Sequence, residues 1–138
     1  MSLEVLLVDD DKMAVFLQKI IILESKFSSA VETFTSGAET LDYLINHYQR
    51  GEQFFIFLDI NMPGMNGLEL LEKINQQPFA DKVLVAMVSS YSPAVSTTEA
   101  FNYKQVVYTF EKPITIEGCK EIMELPELKP YFPRLSNH

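Results

Sequence analysis

The chain has 138 residues, enough for one domain with a full core and too few for two of ordinary size. With 47% hydrophobic and 22% charged residues, its composition is that of a folded globular protein rather than a disordered or fibrous one. A net charge of −8 argues against binding nucleic-acid phosphates and is compatible with a bound cation, and no apolar run approaches the ~20 residues of a membrane span.

The first strand is Leu3-Glu4-Val5-Leu6-Leu7-Val8, which runs into Asp9-Asp10-Asp11. Met13, Phe16, Leu17, Ile20 and Leu23 then recur at helical spacing, which predicts a helix from about Asp11 to Ser25. Ser29 to Phe34 alternates weakly and reads as an edge strand. Ser36-Gly37-Ala38-Glu39 has the spacing of a capping box and opens a second helix bearing Leu41, Leu44, Ile45 and Tyr48, ended by Gly51. Phe54-Phe55-Ile56-Phe57-Leu58 is apolar throughout, as in a strand buried on both faces, and it delivers Asp59 to a turn at Pro63-Gly64. Leu68, Leu71 and Ile74 mark a third helix, which stops before Pro78. Lys82 to Val88 is a fourth strand ending in Ser89-Ser90, and Ser92-Pro93 supplies the start of a helix to about Asn102. Val106 to Phe110 is a fifth strand, followed by Glu111-Lys112-Pro113 and a short helix with Ile116, Cys119, Ile122 and Met123 inward. Pro126, Pro130 and Pro133 prevent that helix from continuing, and the apolar residues among them can pack on the domain or on a partner.

Strand–helix alternation of this kind specifies an α/β fold: a flavodoxin-like, doubly wound, five-stranded parallel sheet of order 2-1-3-4-5 with helices on both faces. The expected division is a domain over residues 1–124 and a Pro-rich tail over 125–138, without an effector domain. Cys119 is the only cysteine, which fits a reducing cytoplasm, and Met1-Ser2-Leu3-Glu4 lacks the basic start of a secretory signal.

The strand order puts the carboxyl ends of strands 1 and 3 side by side at the switch point. Asp9 and Asp10 therefore lie beside Asp59. At ~4 Å and an effective dielectric near 20, each such pair of carboxylates costs roughly 4 kcal/mol, so some are protonated or a cation sits among them. Oxygen-only ligands select a hard ion, and Mg²⁺ suits one or two carboxylates plus a phosphate. Ser89 and Lys112, each just past a strand end, complete a set able to hold a phosphoryl group on Asp59. Taken singly the residues have plainer uses. Asp9-Asp10-Asp11 can cap the first helix, Ser89 can be an ordinary strand-end serine, Lys112 can be a solvated lysine, and His47 reads as a surface residue without metal-ligand partners.

Four segments in order, Val8-Asp9-Asp10, Leu58 through Gly67, Val88-Ser89-Ser90 and Glu111-Lys112-Pro113-Ile114, closely resemble the receiver domain of two-component response regulators, of the stand-alone chemotaxis-regulator type. The resemblance covers roughly Leu3 to Met123. It implies a phosphorylation-dependent switch in which Asp59 accepts a phosphoryl group from a sensor histidine kinase or phosphotransfer protein. It implies Mg²⁺ bound by Asp10, Asp59 and the backbone carbonyl of Asn61, with Asp9 acting mostly through water. Ser89 becomes the switch hydroxyl and Lys112 the phosphate-binding lysine, with a cis bond before Pro113. Output follows by onward phosphotransfer or by contact with a downstream protein on the face of strand 4, helix 4, strand 5 and helix 5; no nucleic acid or membrane is implied. The chain is then not an enzyme on other substrates, catalysing only its own phosphorylation and dephosphorylation.

Two positions depart from the family pattern. Where the family carries a rotating aromatic, three residues before the lysine, this chain has Thr109; Tyr108 stands beside it and, at strand alternation, points the other way. Tyr91, two residues after Ser89, is placed to control water access to the phosphoryl site. A haloacid-dehalogenase-type phosphohydrolase also uses a strand-end Asp, but it needs an acid–base Asp two residues on, where this chain has Asn61. A docking module that is never phosphorylated would not need the full set of Asp9, Asp10, Asp59, Ser89 and Lys112.

Overall fold

Phe54, Phe55, Ile56, Phe57 and Leu58 are each 0% exposed, and every other element is arranged around that strand. The structure is a computed structural model and describes residues 3–48, 53–89 and 102–133. Along the chain these form β1 (Leu3–Val8), α1 (Lys12–Glu24), β2 (Val31–Phe34), α2 (Gly37–His47), β3 (Gln53–Asp59), α3 (Gly67–Asn75), β4 (Val83–Ser89), β5 (Val106–Glu111) and α4 (Ile116–Met123). The strands pair in parallel in the order β2-β1-β3-β4-β5, as the alternation predicts. The helix expected after Ser92, and Tyr91 with it, lie outside the described residues. Among the described residues no helix is long and apolar enough to cross a membrane.

Alternation along β3 feeds two cores. Phe54, Ile56 and Leu58 pack with Leu70, Leu71 and Ile74 of α3 and Leu44 of α2. Phe55 and Phe57 pack on the other face with Ile22 of α1 and Cys119 and Ile122 of α4. Each such buried side chain contributes about 1.5–3 kcal/mol of transfer free energy.

The helix starts are fixed by side chains. Asp11 Oδ1 accepts from the Met13 and Ala14 amides, and Thr115 accepts from the Gly118 amide. Ser36 accepts from Glu39 N at 3.2 Å, which is one half of the expected box. The reciprocal box forms at α3, where the Asn66 side chain accepts from Glu69 N and Asn66 N donates to Glu69 Oε1.

The helix forms as the spacing predicts, but most of the apolar stripe that marks it faces outward. Met13, Phe16, Leu17 and Ile20 are 64%, 61%, 52% and 38% exposed, while Gln18 and Ile22 are buried. The helix is apolar nearly all round, so spacing alone offers two stripes. A glutamine on one of them makes the other look like the core face. In α2, Leu44 is buried as expected but Ile45 is exposed. His47 is half-buried, stacked on the Tyr43 ring at 4.0 Å.

After α4 the prolines leave only a short 3-10 turn, Lys129–Tyr131. The segment nevertheless packs on the domain. Leu128 is 0% exposed, and the Phe132 ring lies 5.3 Å from that of Phe27. We expect Leu128→Ala to lower unfolding free energy in urea by about 2–5 kcal/mol, the usual cost of a buried Leu→Ala cavity; a loss under 1 kcal/mol would mean the tail is not part of the folded unit.

Candidate functional site

The sheet register brings the site together. Val8 pairs with Leu58, Asp59 with Val88, and Ser89 with Glu111. The next residues continue the ladder: Asp9 N donates to Phe34 O, Ile60 N to Val88 O, and Lys112 N to Ser89 O at 2.7 Å. Asp9, Asp59, Ser89 and Lys112 therefore emerge along one sheet edge, at the ends of β1, β3, β4 and β5. This is the crevice outside the carboxyl ends of the strands where open α/β sheets bind ligands.

Two of the carboxylates are nearly sealed, Asp9 at 1% and Asp59 at 3% exposure, whereas Asp10 is exposed. Asp9, Asp10 and Asp59 each offer an oxygen within 4.8 Å of the others. The cation among them is Lys112, whose Nζ lies 2.7 Å from Asp9 Oδ2 and 3.4 Å from Asp59 Oδ2. Asp9 is further held by Asp11 N on Oδ1 at 2.9 Å and by Gln18 Nε2 on Oδ2 at 3.0 Å. Asp59 Oδ1 accepts from Asn61 N at 3.0 Å. The bond before Pro113 is cis, as the resemblance implies.

The donors also sort the acids as possible metal ligands. Asp9 already accepts three hydrogen-bond or ionic contacts, so it has the least left to give directly. The exposed Asp10 and the Asp59 carboxylate keep more free acceptor capacity. The set is oxygen-only, which suits a hard divalent cation.

The loop after β3 is pinned to this edge. Gly67 donates from its amide to Ile60 O at 3.0 Å. A Cβ at Gly67 would come 2.7 Å from the Asp59 carbonyl oxygen and 2.8 Å from Ile60 Cα, so only glycine lets α3 start this close to the acid. Gly64 takes a positive φ of 74° in the turn that the Pro-Gly pair predicts.

Burial pushes the Asp59 carboxyl up to about 6 and the charge of Asp9 adds to the rise, against the lowering effect of the Asn61 amide and of Lys112. Burial acts to lower Lys112, but its contact with Asp9 and the charges of Asp59 and Asp9 raise it overall. The ammonium is thus held charged between the acids.

The response regulator receiver domain model matches residues 5–124. The chain belongs to the response regulator receiver domain family. Among curated proteins it is 28% identical over 123 residues to the sensory transduction protein LytT of Oceanobacillus iheyensis, covering 89% of this chain and 47% of that one. It is 32% identical over 104 residues to the transcriptional regulatory protein YpdB of Escherichia coli, covering 73% of this chain and 40% of YpdB. The chain thus spans less than half the length of these relatives. A two-component response regulator from Cytophaga hutchinsonii superposes with a TM-score of 0.79 at 32% identity, over 88% of this chain and 93% of that one. A response regulator receiver protein from Dyadobacter fermentans gives 0.78 at 25%, over 95% and 98%. Membership of this family implies phosphorylation-dependent signalling in a two-component system.

The receiver's fifth strand bears out the expected orientation of Tyr108. Thr109 pairs with Met87, while Tyr108 packs 4.9 Å from the Phe110 ring and donates its hydroxyl to Glu121 of α4. Burial and the Glu121 contact push the Tyr108 hydroxyl up to about 12. Gln18 was missed by sequence reasoning. Its only signal was a polar residue in a helix otherwise apolar on all sides.

The Asp59 shift fixes a pH dependence. Its folded pKa lies above the unfolded 3.8, so the folded state holds a proton that the unfolded state gives up between 3.8 and about 6, and stability falls as pH rises through that window. Asp59→Asn removes the loss. In urea titrations with chelator present, the variant should match the parent near the bottom of the window and exceed it above the top by on the order of 2 kcal/mol. An equal difference at both ends would contradict the assignment.

Proposed function

We propose that Asp59 accepts a phosphoryl group from a phosphohistidine donor, a sensor histidine kinase or a phosphotransfer protein. An Asp59 oxygen forms the new O–P bond as the P–N bond breaks, and that electron pair returns to the donor's imidazole. The observation that carries this is the single ammonium of Lys112 shared between two buried carboxylates at the sheet edge. On phosphorylation Lys112 turns from Asp9 Oδ2 and Asp59 Oδ2 to the phosphoryl oxygens, and the Ser89 hydroxyl donates to one of them. Asp10, Asp59 and the Asn61 backbone carbonyl would hold Mg²⁺, with Asp9 acting through water. When bound, the ion neutralises charge on the phosphoryl oxygens and on the acids. The chain acts on itself, catalysing its own phosphorylation and later hydrolysis, and signals by protein contact or onward transfer.

The exposed stripe of α1 supplies a place for the donor. Met13, Phe16, Leu17 and Ile20 form one i, i+3, i+4, i+7 face that begins beside Asp10 and Asp11, at the rim of the acidic pocket. A contiguous apolar patch on a domain surface marks an interaction site. A helix of the donor laid along it carries its phosphohistidine over Asp59.

Incubation with Mg²⁺ and acetyl phosphate should add one phosphoryl group by intact mass, and Asp59→Asn or chelator should abolish it. No adduct with any donor would leave the chain a docking module. Phe16→Asp should leave acetyl-phosphate labelling unchanged but slow transfer from a phosphorylated donor protein by about tenfold, the effect of losing one contact of ~1.4 kcal/mol.

A further inference from the structure

Gln18 sits on the inward face of α1, 3% exposed, among positions that are otherwise apolar. Its amide nitrogen donates to Asp9 Oδ2 at 3.0 Å and to the Ala14 carbonyl at 3.0 Å. Both neighbours are acceptors, so only the orientation with the NH₂ toward them is possible. That orientation leaves Oε1 buried with no hydrogen-bond partner. An orphan buried acceptor destabilises the fold, and an apolar side chain of the same size would be better tolerated there. The residue's contribution therefore lies in the contact it makes rather than in helix packing.

That contact falls on the oxygen that Lys112 also holds, at 2.7 Å. Asp9 Oδ2 thus has two donors, one the cationic Lys112 shared with Asp59, the other a neutral amide anchored in a helix. We propose that Gln18 is a positioning residue for the phosphoacceptor pocket, holding the Asp9 carboxylate in place while Lys112 leaves it for the phosphoryl group. This rests on the phosphoacceptor role proposed for Asp59. Without Gln18, Asp9 keeps its rotamer only through Lys112 and the Asp11 amide. Each departure of Lys112 then frees Asp9 to swing, and a metal held partly through Asp9 loses its fixed surroundings. Groups that orient a metal's ligands typically change affinity 10–100-fold when removed.

The test uses the full chain and Gln18→Met, which keeps the volume and removes both the donor and the orphan acceptor. Mn²⁺ binding is read by electron paramagnetic resonance and Mg²⁺ binding by calorimetry, with thermal melts in chelator alongside. We expect a melting temperature equal to or above the parent's and an affinity about tenfold weaker for both ions. The same substitution is then made in an Asp9→Asn background. If Gln18 acts through Asp9, it has little further effect there, and the two losses do not add. Unchanged affinity in Gln18→Met, or full additivity with Asp9→Asn, overturns the proposal. A lower melting temperature with additive losses does so too, since it marks a packing role; Gln18→Leu, handled in parallel, guards against misfolding peculiar to Met. A parent protein that binds neither ion and takes no phosphoryl group from acetyl phosphate overturns the site itself, a result independent of any Gln18 variant.

Discussion

One ammonium placed between two sealed carboxylates is the constraint on which the site depends. Asp9 and Asp59 lie at the ends of adjacent strands because the sheet order makes β1 and β3 neighbours. Left alone, their repulsion at this range would be worth several kcal/mol. Lys112 offsets it from a third strand end, at 2.7 Å from one acid and 3.4 Å from the other. The closeness to Asp9 matters: the lysine rests mainly on the acid that is not the acceptor, and leans only lightly on the one that is. Burial raises the proton affinity of Asp59, and its looser hold on the lysine makes it the acid readiest to exchange its partner.

The rest of the architecture serves to keep that edge in line. β3 is apolar to its last residue but one, so the strand cannot slide without pulling Asp59 into the core or pushing Leu58 out of it. Gly67 brings α3 up against the Asp59 carbonyl, which fixes the backbone from the far side. Both supports are packing interactions. They hold the site's geometry whatever the charge state of the acids.

Most of this was legible in the sequence, and the failures have physical causes. Four apolar runs leading into Asp, Ser or Lys placed the site residues at strand ends, and the strand order then put them together. Turn chemistry at Pro63-Gly64 followed from residue type alone. The face of α1 did not follow. Periodicity identifies a buried stripe by contrast, and a helix with Met13, Phe16 and Leu17 on one side and Val15, Ile21 and Ile22 on the other offers little. The contrast that was present, Gln18, pointed the wrong way, because a polar residue can be buried when a carboxylate waits for it. The capping box at Asn66-Glu69 was likewise passed over in favour of Ser36-Glu39, where the hydroxyl caps in one direction.

β5 carries one further feature, a shift of register against β4. Val85 pairs with Val106, but Ala86 pairs with Tyr108, so Val107 is an extra residue in the ladder. In a strand whose side chains alternate, one inserted residue would exchange the two faces for everything beyond it unless a bulge absorbs it, as Val107 is absorbed here. Had the ladder stayed regular past Val85, Val107 would pair with Ala86 and Tyr108 would stand opposite Met87, over the core shared with α2 and α3; with the bulge, Tyr108 pairs with Ala86, joins Phe110 and reaches Glu121 on α4. The side of the sheet on which an aromatic lies is therefore set by where the ladder bulges as much as by residue type. The presence or absence of a bulge in β5 thus becomes a route by which receivers of one fold can come to present different surfaces to their partners.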